Sequence, residues 1–175
     1  MKNIFFISDQ HFSHRNFLNF EDNNGNRIRP FDSIDEMDEH MIERHNSVVG
    51  KFDKVWFGGD ITFDRKRFDT IMSRLNGKKR LVLGNHDDGI FLAKSGWFEK
   101  IVLDRRFDEF GFIMEHKPGR LDQAFNHRKQ KQMKIVHGHV HQNSIDDPNY
   151  INICVEVVNY TPVHLDEIID RIKNS

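Results

Sequence analysis

Five apolar runs in this chain end in residues able to bind metal ions or carry protons. "IFFIS" leads into Asp9 and His11, "VWFGG" into Asp60, and "RLVLG" into Asn85, His86 and Asp87. "FGFIME" leads into His116, and "KIVHG" into His139 and His141. Imidazoles placed side by side, as in "HGHVH", invite a metal, and a histidine can exchange a proton near neutral pH. Each stretch alone has a plain explanation: Asp-x-His as surface decoration, Gly-Asp as a turn, "GNHDDG" as turn chemistry, His116 as a loop histidine. Their joint occurrence, each after an apolar run, argues for one site.

The elements that must position these residues alternate along the chain. Buried strands are predicted at 3–8, 54–58 and 79–84, with helices at 33–49 and 65–76 between them. Ser33 and Glu36 form a capping box, and Met37, Met41, Ile34 and Val48 line one helix face. Phe68, Ile71, Met72 and Leu75 line the second helix, which Gly77 ends. A short helix over 88–95, strands near 99–103, 106–108 and 111–115, and a polar helix over 120–131 follow. Strands at 134–138 and 150–158 and a helix over 164–173 complete the pattern. This is an α/β order, with parallel strands first and a mixed or second sheet later. Ligands of open α/β sheets bind beyond the carboxyl ends of the strands, where all five runs deliver their polar residues.

Composition narrows the function classes. The formal net charge is −1, which is not the bulk signature of a nucleic-acid binder. Cys154 is the single cysteine, so an internal disulfide and a Cys-based zinc site are excluded. No segment has membrane-spanning length, and the N-terminal apolar run stops at Asp9, unlike a signal peptide. The expectation is a cytoplasmic protein folded as one domain over residues 1–175.

The motifs, in their order, resemble the calcineurin-like metallophosphoesterase superfamily, in particular its small single-domain members. They are D-x-H (Asp9, His11), G-D (Gly59, Asp60), G-N-H-D (Gly84 to Asp87), a lone histidine before x-P (His116), and G-H-x-H (Gly138 to His141). Two departures stand out: no Asp or Asn follows Gly59-Asp60 closely, Asp64 being the nearest, and Glu115 precedes His116. The resemblance implies a sandwich of two mostly mixed β-sheets flanked by helices, with the metal site at strand C-terminal ends. It implies two divalent cations. Asp9, His11, Asp60 and His141 would hold the first, and Asp60, Asn85, His116 and His139 the second, with Asp60 bridging. Such N and O donors without thiolate suit Mn, Fe, Co, Ni or Zn. Two dications against two carboxylates and one bridging hydroxide leave a positive site that attracts phosphate. His86 would be the general acid, and Asp87 would orient its imidazole. The implied activity is hydrolysis of a phosphate ester, a phosphodiester first, by the metal-bridging hydroxide. A phosphomonoesterase or nuclease is the alternative, and a non-catalytic binding module is disfavoured because every ligand is present.

Other residues carry less. The segment 117–134 is locally basic and could steer a nucleotide or nucleic acid, although a solvated helix face is the better reading. Arg29 either meets a phosphate or supports its loop, and His14 and Asn16 follow the first ligand motif. His40, His45, His127 and His164 are expected on surfaces and caps. His137 precedes Gly138, outside the ligand motif, and is expected to pack or hydrogen-bond near the site. Substrate-binding residues and oligomeric state are not legible.

Overall fold

The computed structural model describes residues 3–119 and 133–174. One sheet has strand order β4-β3-β2-β1-β9. Its strands are β1 (Ile4–Ile7), β2 (Lys54–Phe57), β3 (Lys78–Val82), β4 (Phe98–Val102) and β9 (Val163–His164). The second sheet runs β5-β6-β7-β8, from Asp104–Phe107, Phe112–Glu115, Lys134–His137 and Tyr150–Asn152. Both sheets are mixed. β1 to β4 are parallel and β9 is antiparallel, while β6 to β8 are parallel and β5 is antiparallel. The fold is therefore the two-sheet α/β sandwich that the motifs imply.

Alternation along the central strands explains the layers. Phe5 and Ile7, Val55 and Phe57, and Leu81 face one core with α1 (Ile34–Val48), α2 (Arg65–Arg74) and α3 (Gly89–Lys94). Phe6, Trp56 and Val82 point the other way, against Phe112, Met114 and Val136 of the second sheet. α4 (Leu165–Lys173) adds Ile168 to that second core. Strands buried on both faces read as continuous apolar runs, which is why these stood out. Phe6, Phe107 and Phe112 pack edge-on or stacked at centroid distances of 4.7–5.6 Å. Rings in such contact add to the stabilisation from area burial alone.

Local signals place the helices closely. Ser33 Oγ accepts the Glu36 amide, and Glu36 reaches back one residue further than the standard box, accepting from the Asp32 amide. Asp64, Asp88 and His164 cap α2, α3 and α4. Gly77, at φ 89°, turns the chain into β3. Val48 is exposed, and Val49, just past the helix end, is buried in its place. His45 is also buried, with Nε2 on the Asn76 carbonyl at 2.9 Å, so it is a core residue and not a surface one. Burial lowers its pKa to about 4, so it packs as the neutral ring.

The stretch 150–158 is not one strand. Pairing with β7 ends at Asn152, and the chain then crosses to the other sheet beside Ser8. The Ser8 amide donates to Ile153 O, and the Val155 amide donates to Ser8 O, both at 3.0 Å. The chain then folds back, with the Val157 amide on Cys154 O and left-handed backbone at Asn159 and Tyr160. Its apolar residues serve burial at this crossing and not a longer ladder. The helix expected over 120–131 lies outside the described residues.

Candidate metal centre

β1, β2 and β3 of one sheet and β6 and β7 of the other end on one side of the sandwich. Backbone bonds carry the pairing past the strand ends: the Asp9 amide donates to Gly59 O, the His11 amide to Asp60 O, and the Gly138 amide to His116 O. These bonds fix the relative height of the ligand loops. Close approach needs glycine: a Cβ at Gly138 would overlap Ser8 Oγ and Asp9 Oδ2, and one at Gly84 would overlap the Asp60 carboxylate.

The backbone at the candidate ligands is unusual. Asp9, His11, Asp60, His139 and His141 all have positive φ, between 48° and 73°. Asp and His are among the few side chains that tolerate this region. The left-handed turn lets consecutive ligand motifs bend back over the strand ends.

Two groups of ligand atoms result, each within 4.8 Å of one another: Asp9, His11 and His141 in one, and Asp9, Asp60 and His116 in the other. His11 Nε2 lies 3.8 Å from Asp9 Oδ1 and 3.6 Å from Asp60 Oδ2. His116 Nε2 lies 3.4 Å from Asp60 Oδ2 and 2.9 Å from Asn85 Oδ1. His141 Nε2 lies 3.9 Å from Asp9 Oδ1. The His139 ring stands next to His116, with centroids 5.2 Å apart, but neither group of ligand atoms includes it. His86 is exposed at the rim, its amide donating to Asp60 Oδ1 at 2.9 Å and its ring 6.0 Å from that of His11.

The donor set fits divalent cations on its own evidence. Asp9 Oδ1 and His11 Nε2 are buried without a hydrogen-bond partner among the described residues. Buried polar atoms of that kind are costly unless something is held there. Burial lowers the His11 pKa to about 2, keeping it neutral, as a ligand must be. Burial also works against charge on Asp60, but His116 and the His86 amide outweigh it and hold the carboxyl at about 2. The same contact acts on His116: burial opposes protonation, yet Asp60 and Asp9 raise its pKa to about 9 in the metal-free protein.

Surrounding groups fix the outer nitrogens. His116 Nδ1 donates to Gly58 O at 2.8 Å, leaving Nε2 toward the centre. His141 Nδ1 faces Glu156 Oε1 at 3.0 Å, a carboxylate that turns the other nitrogen inward. Glu156 is held by Arg29, whose Nε and Nη2 donate to it at 2.8 and 2.7 Å. Arg29 also donates to Asp9 O and Gln10 O, each at 2.6 Å. It is fully buried, so it supports the loop and does not meet phosphate. Asp9 Oδ2 is held by Ser8 Oγ at 2.5 Å, the His139 amide at 2.9 Å and the Cys154 thiol at 3.3 Å. Burial raises the Cys154 pKa, so this thiol stays a proton donor.

No hydrogen bond joins the Asp87 carboxylate to the His86 ring among the described residues. That carboxylate accepts the amides of Asp60, Ile61 and Gly84 at 2.9, 3.0 and 2.9 Å, tying the second and third ligand loops together. Asp88 is the helix cap. His137 is buried, with Nδ1 on its neighbour's carbonyl, Gly138 O, at 2.9 Å, outside both ligand groups. Glu156, Arg29 as its partner, and Ser8 were missed as site residues. One signal was available for Glu156: a lone charge inside the apolar run "ICVEVV".

Among the described residues no helix is long and apolar enough to cross a membrane. The chain is 31% identical over 183 residues to an uncharacterized protein of Methanocaldococcus jannaschii, covering 99% of this chain and 93% of that one. It is 36% identical over 92 residues to the gene 66 protein of Mycobacterium phage L5, spanning 50% of this chain and 41% of the phage protein. The fold matches a crystal structure of a protein of unknown function from Aquifex aeolicus, with TM-score 0.73 and 24% identity, covering 97% and 99% of the two chains. The calcineurin-like phosphoesterase family matches residues 2–163. With that match and a ligand cluster at the strand ends, the chain belongs to the calcineurin-like phosphoesterases, metal-dependent hydrolases of phosphate esters.

Proposed function

We propose that the chain is a phosphodiesterase with a dinuclear centre, working as one cytoplasmic domain over residues 1–175. The observation that carries this reading is the pair of orphaned, buried ligand atoms, Asp9 Oδ1 and His11 Nε2, inside the converging cluster. Asp9, His11, Asp60 and His141 would hold one ion, and Asp60, Asn85, His116 and His139 the other. Once bound, two such ions would supply a water nucleophile near neutral pH and positive charge for the phosphoryl oxygens. The residues themselves do the rest. Asp9 is common to both ligand groups, and Asp60, pinned by the His86 amide, places Oδ2 3.6 Å from His11 Nε2 and 3.4 Å from His116 Nε2, between the two. Glu156 and Ser8 orient His141 and Asp9. The exposed His86 donates a ring N–H proton to the leaving oxygen.

A diester is favoured by the charge of the surroundings. A monoester dianion calls for further fixed cations, and the donors of Arg29 are occupied by Asp9 O, Gln10 O and Glu156. The exposure of Asn85 and His86 leaves room for a second ester group. The test is turnover of bis(p-nitrophenyl) phosphate against p-nitrophenyl phosphate, with Mn²⁺ added and then with chelator. The expected result is metal-dependent hydrolysis with the diester preferred. A monoester preference would reassign the chain as a phosphatase, and no turnover on a wide phosphoester panel would end the enzymatic reading.

A further inference from the structure

The rim of the ligand cluster is built from rings. Phe63, just beyond the Asp60 loop, is 45% exposed although large and apolar. It stacks on His14, with centroids 4.1 Å apart and planes 13° from parallel. Its ring is 5.1 Å from that of His86. Phe63 and His86 both line a cavity of about 210 Å³, together with Arg65 and Phe91. The Arg65 guanidinium lies 5.0 Å from the centre of the Phe91 ring and is paired with Asp88. Asp87 also borders the cavity, but its carboxylate is occupied by backbone amides. The cavity thus offers ring surface and an exposed guanidinium plane whose charge is already paired, with its carboxylates compensated. It is smaller than the roughly 300–1,000 Å³ of pockets for drug-sized ligands, so its volume suits one flat ring system.

We propose that this cavity is a nucleoside-base subsite on the leaving-group side of the reaction. The inference rests on the reading of His86 as the acid, because the group that His86 protonates departs on the side that His86 lines. Water supplies the hydroxyl that stays on phosphorus, the P–O bond to the nucleoside breaks, and the nucleoside oxygen takes the proton from His86. The base stacks on Phe63, and the Arg65 plane adds a cation–π contact. Stacking of this kind accepts any base, so the subsite selects a planar group and not a sequence.

Adenosine is the probe, titrated into the metal-loaded protein and followed by ligand-observed NMR, with ribose as control. Adenosine binds and ribose does not. Phe63→Ala weakens adenosine binding roughly tenfold, in the range of stacking losses, and Phe63→Trp restores it. Adenosine also inhibits aryl phosphodiester hydrolysis competitively. Absent adenosine binding, or binding that Phe63→Ala leaves unchanged, overturns the subsite even if hydrolysis persists. Phe63-dependent adenosine binding without turnover of any phosphoester instead overturns the enzymatic reading and keeps the base site.

Discussion

Asp9, His11, Asp60 and His116 are each no more than 3% exposed, whereas Asn85 and His86 are exposed and His139 is half-buried. The buried half is held from behind by Arg29, Glu156, Ser8 and the Gly58 carbonyl. The open half is held mainly through backbone, with the His86 amide on Asp60 and the Asp87 carboxylate bracing the loop. The contrast matches the two tasks proposed for the site. Holding ions needs ligand atoms fixed before the ion arrives, and that needs buried partners. Handing a proton to a departing group needs a ring that reaches substrate, and that needs exposure.

The contrast can be broken, or sharpened, by six substitutions. Asp60→Asn attacks the carboxylate proposed to bridge the two ions, which also accepts the His86 amide of the open half. Metal content, read by elemental analysis after gel filtration, should fall and turnover should drop to background; full metal content would overturn the bridging role proposed for Asp60. His86→Ala should leave metal content intact and cost about 10²–10⁴-fold in kcat on esters with poor leaving groups, with a smaller loss on nitrophenyl esters. An equal loss on both would show that His86 is not the acid. Glu156→Gln should weaken metal affinity by about 10–100-fold, measured by calorimetry, because His141 loses the charge behind it. Unchanged affinity would mean that the buried half is not set by its supports. His137→Gln should be the mildest, with metal content near that of the parent, while His139→Ala and His141→Ala both lose metal. Equal losses at all three histidines would erase the distinction between ligand and packing histidine.

What was legible in the sequence tracks how local each signal is. The strand ends were readable because an apolar run and its ligand are adjacent, as in "VLGNHD", and the fold's parallel order then brought them together. The caps were readable for the same reason, since Ser33 and its Glu36 partner lie within one turn. The Arg29–Glu156 pair was not, because its members are 127 residues apart and nothing near Arg29 marks its partner. The hydrogen bonds of Asp87 were not legible, because adjacency to His86 suggests a side-chain contact while its partners are amides, which every sequence supplies. The run at 150–158 misled for a physical reason: Ile153, Cys154 and Val155 are buried where the chain changes sheets, and burial looks the same in sequence as pairing.

The left-handed backbone at Asp9, His11, Asp60, His139 and His141 narrows what can replace them. Left-handed geometry costs most side chains about 1–2 kcal/mol, more for branched ones, so drift at these sites is filtered before ligation is considered. The backbone accepts glycine, asparagine, aspartate and histidine most readily, and the cluster accepts only the last three. A descendant released from metal would relax toward glycine there and gain stability as it lost its chemistry. Glycine at several of these positions would therefore mark a retired copy of this domain, while Asp-to-Asn or His-to-Asn exchange would mark one still under selection for its ions.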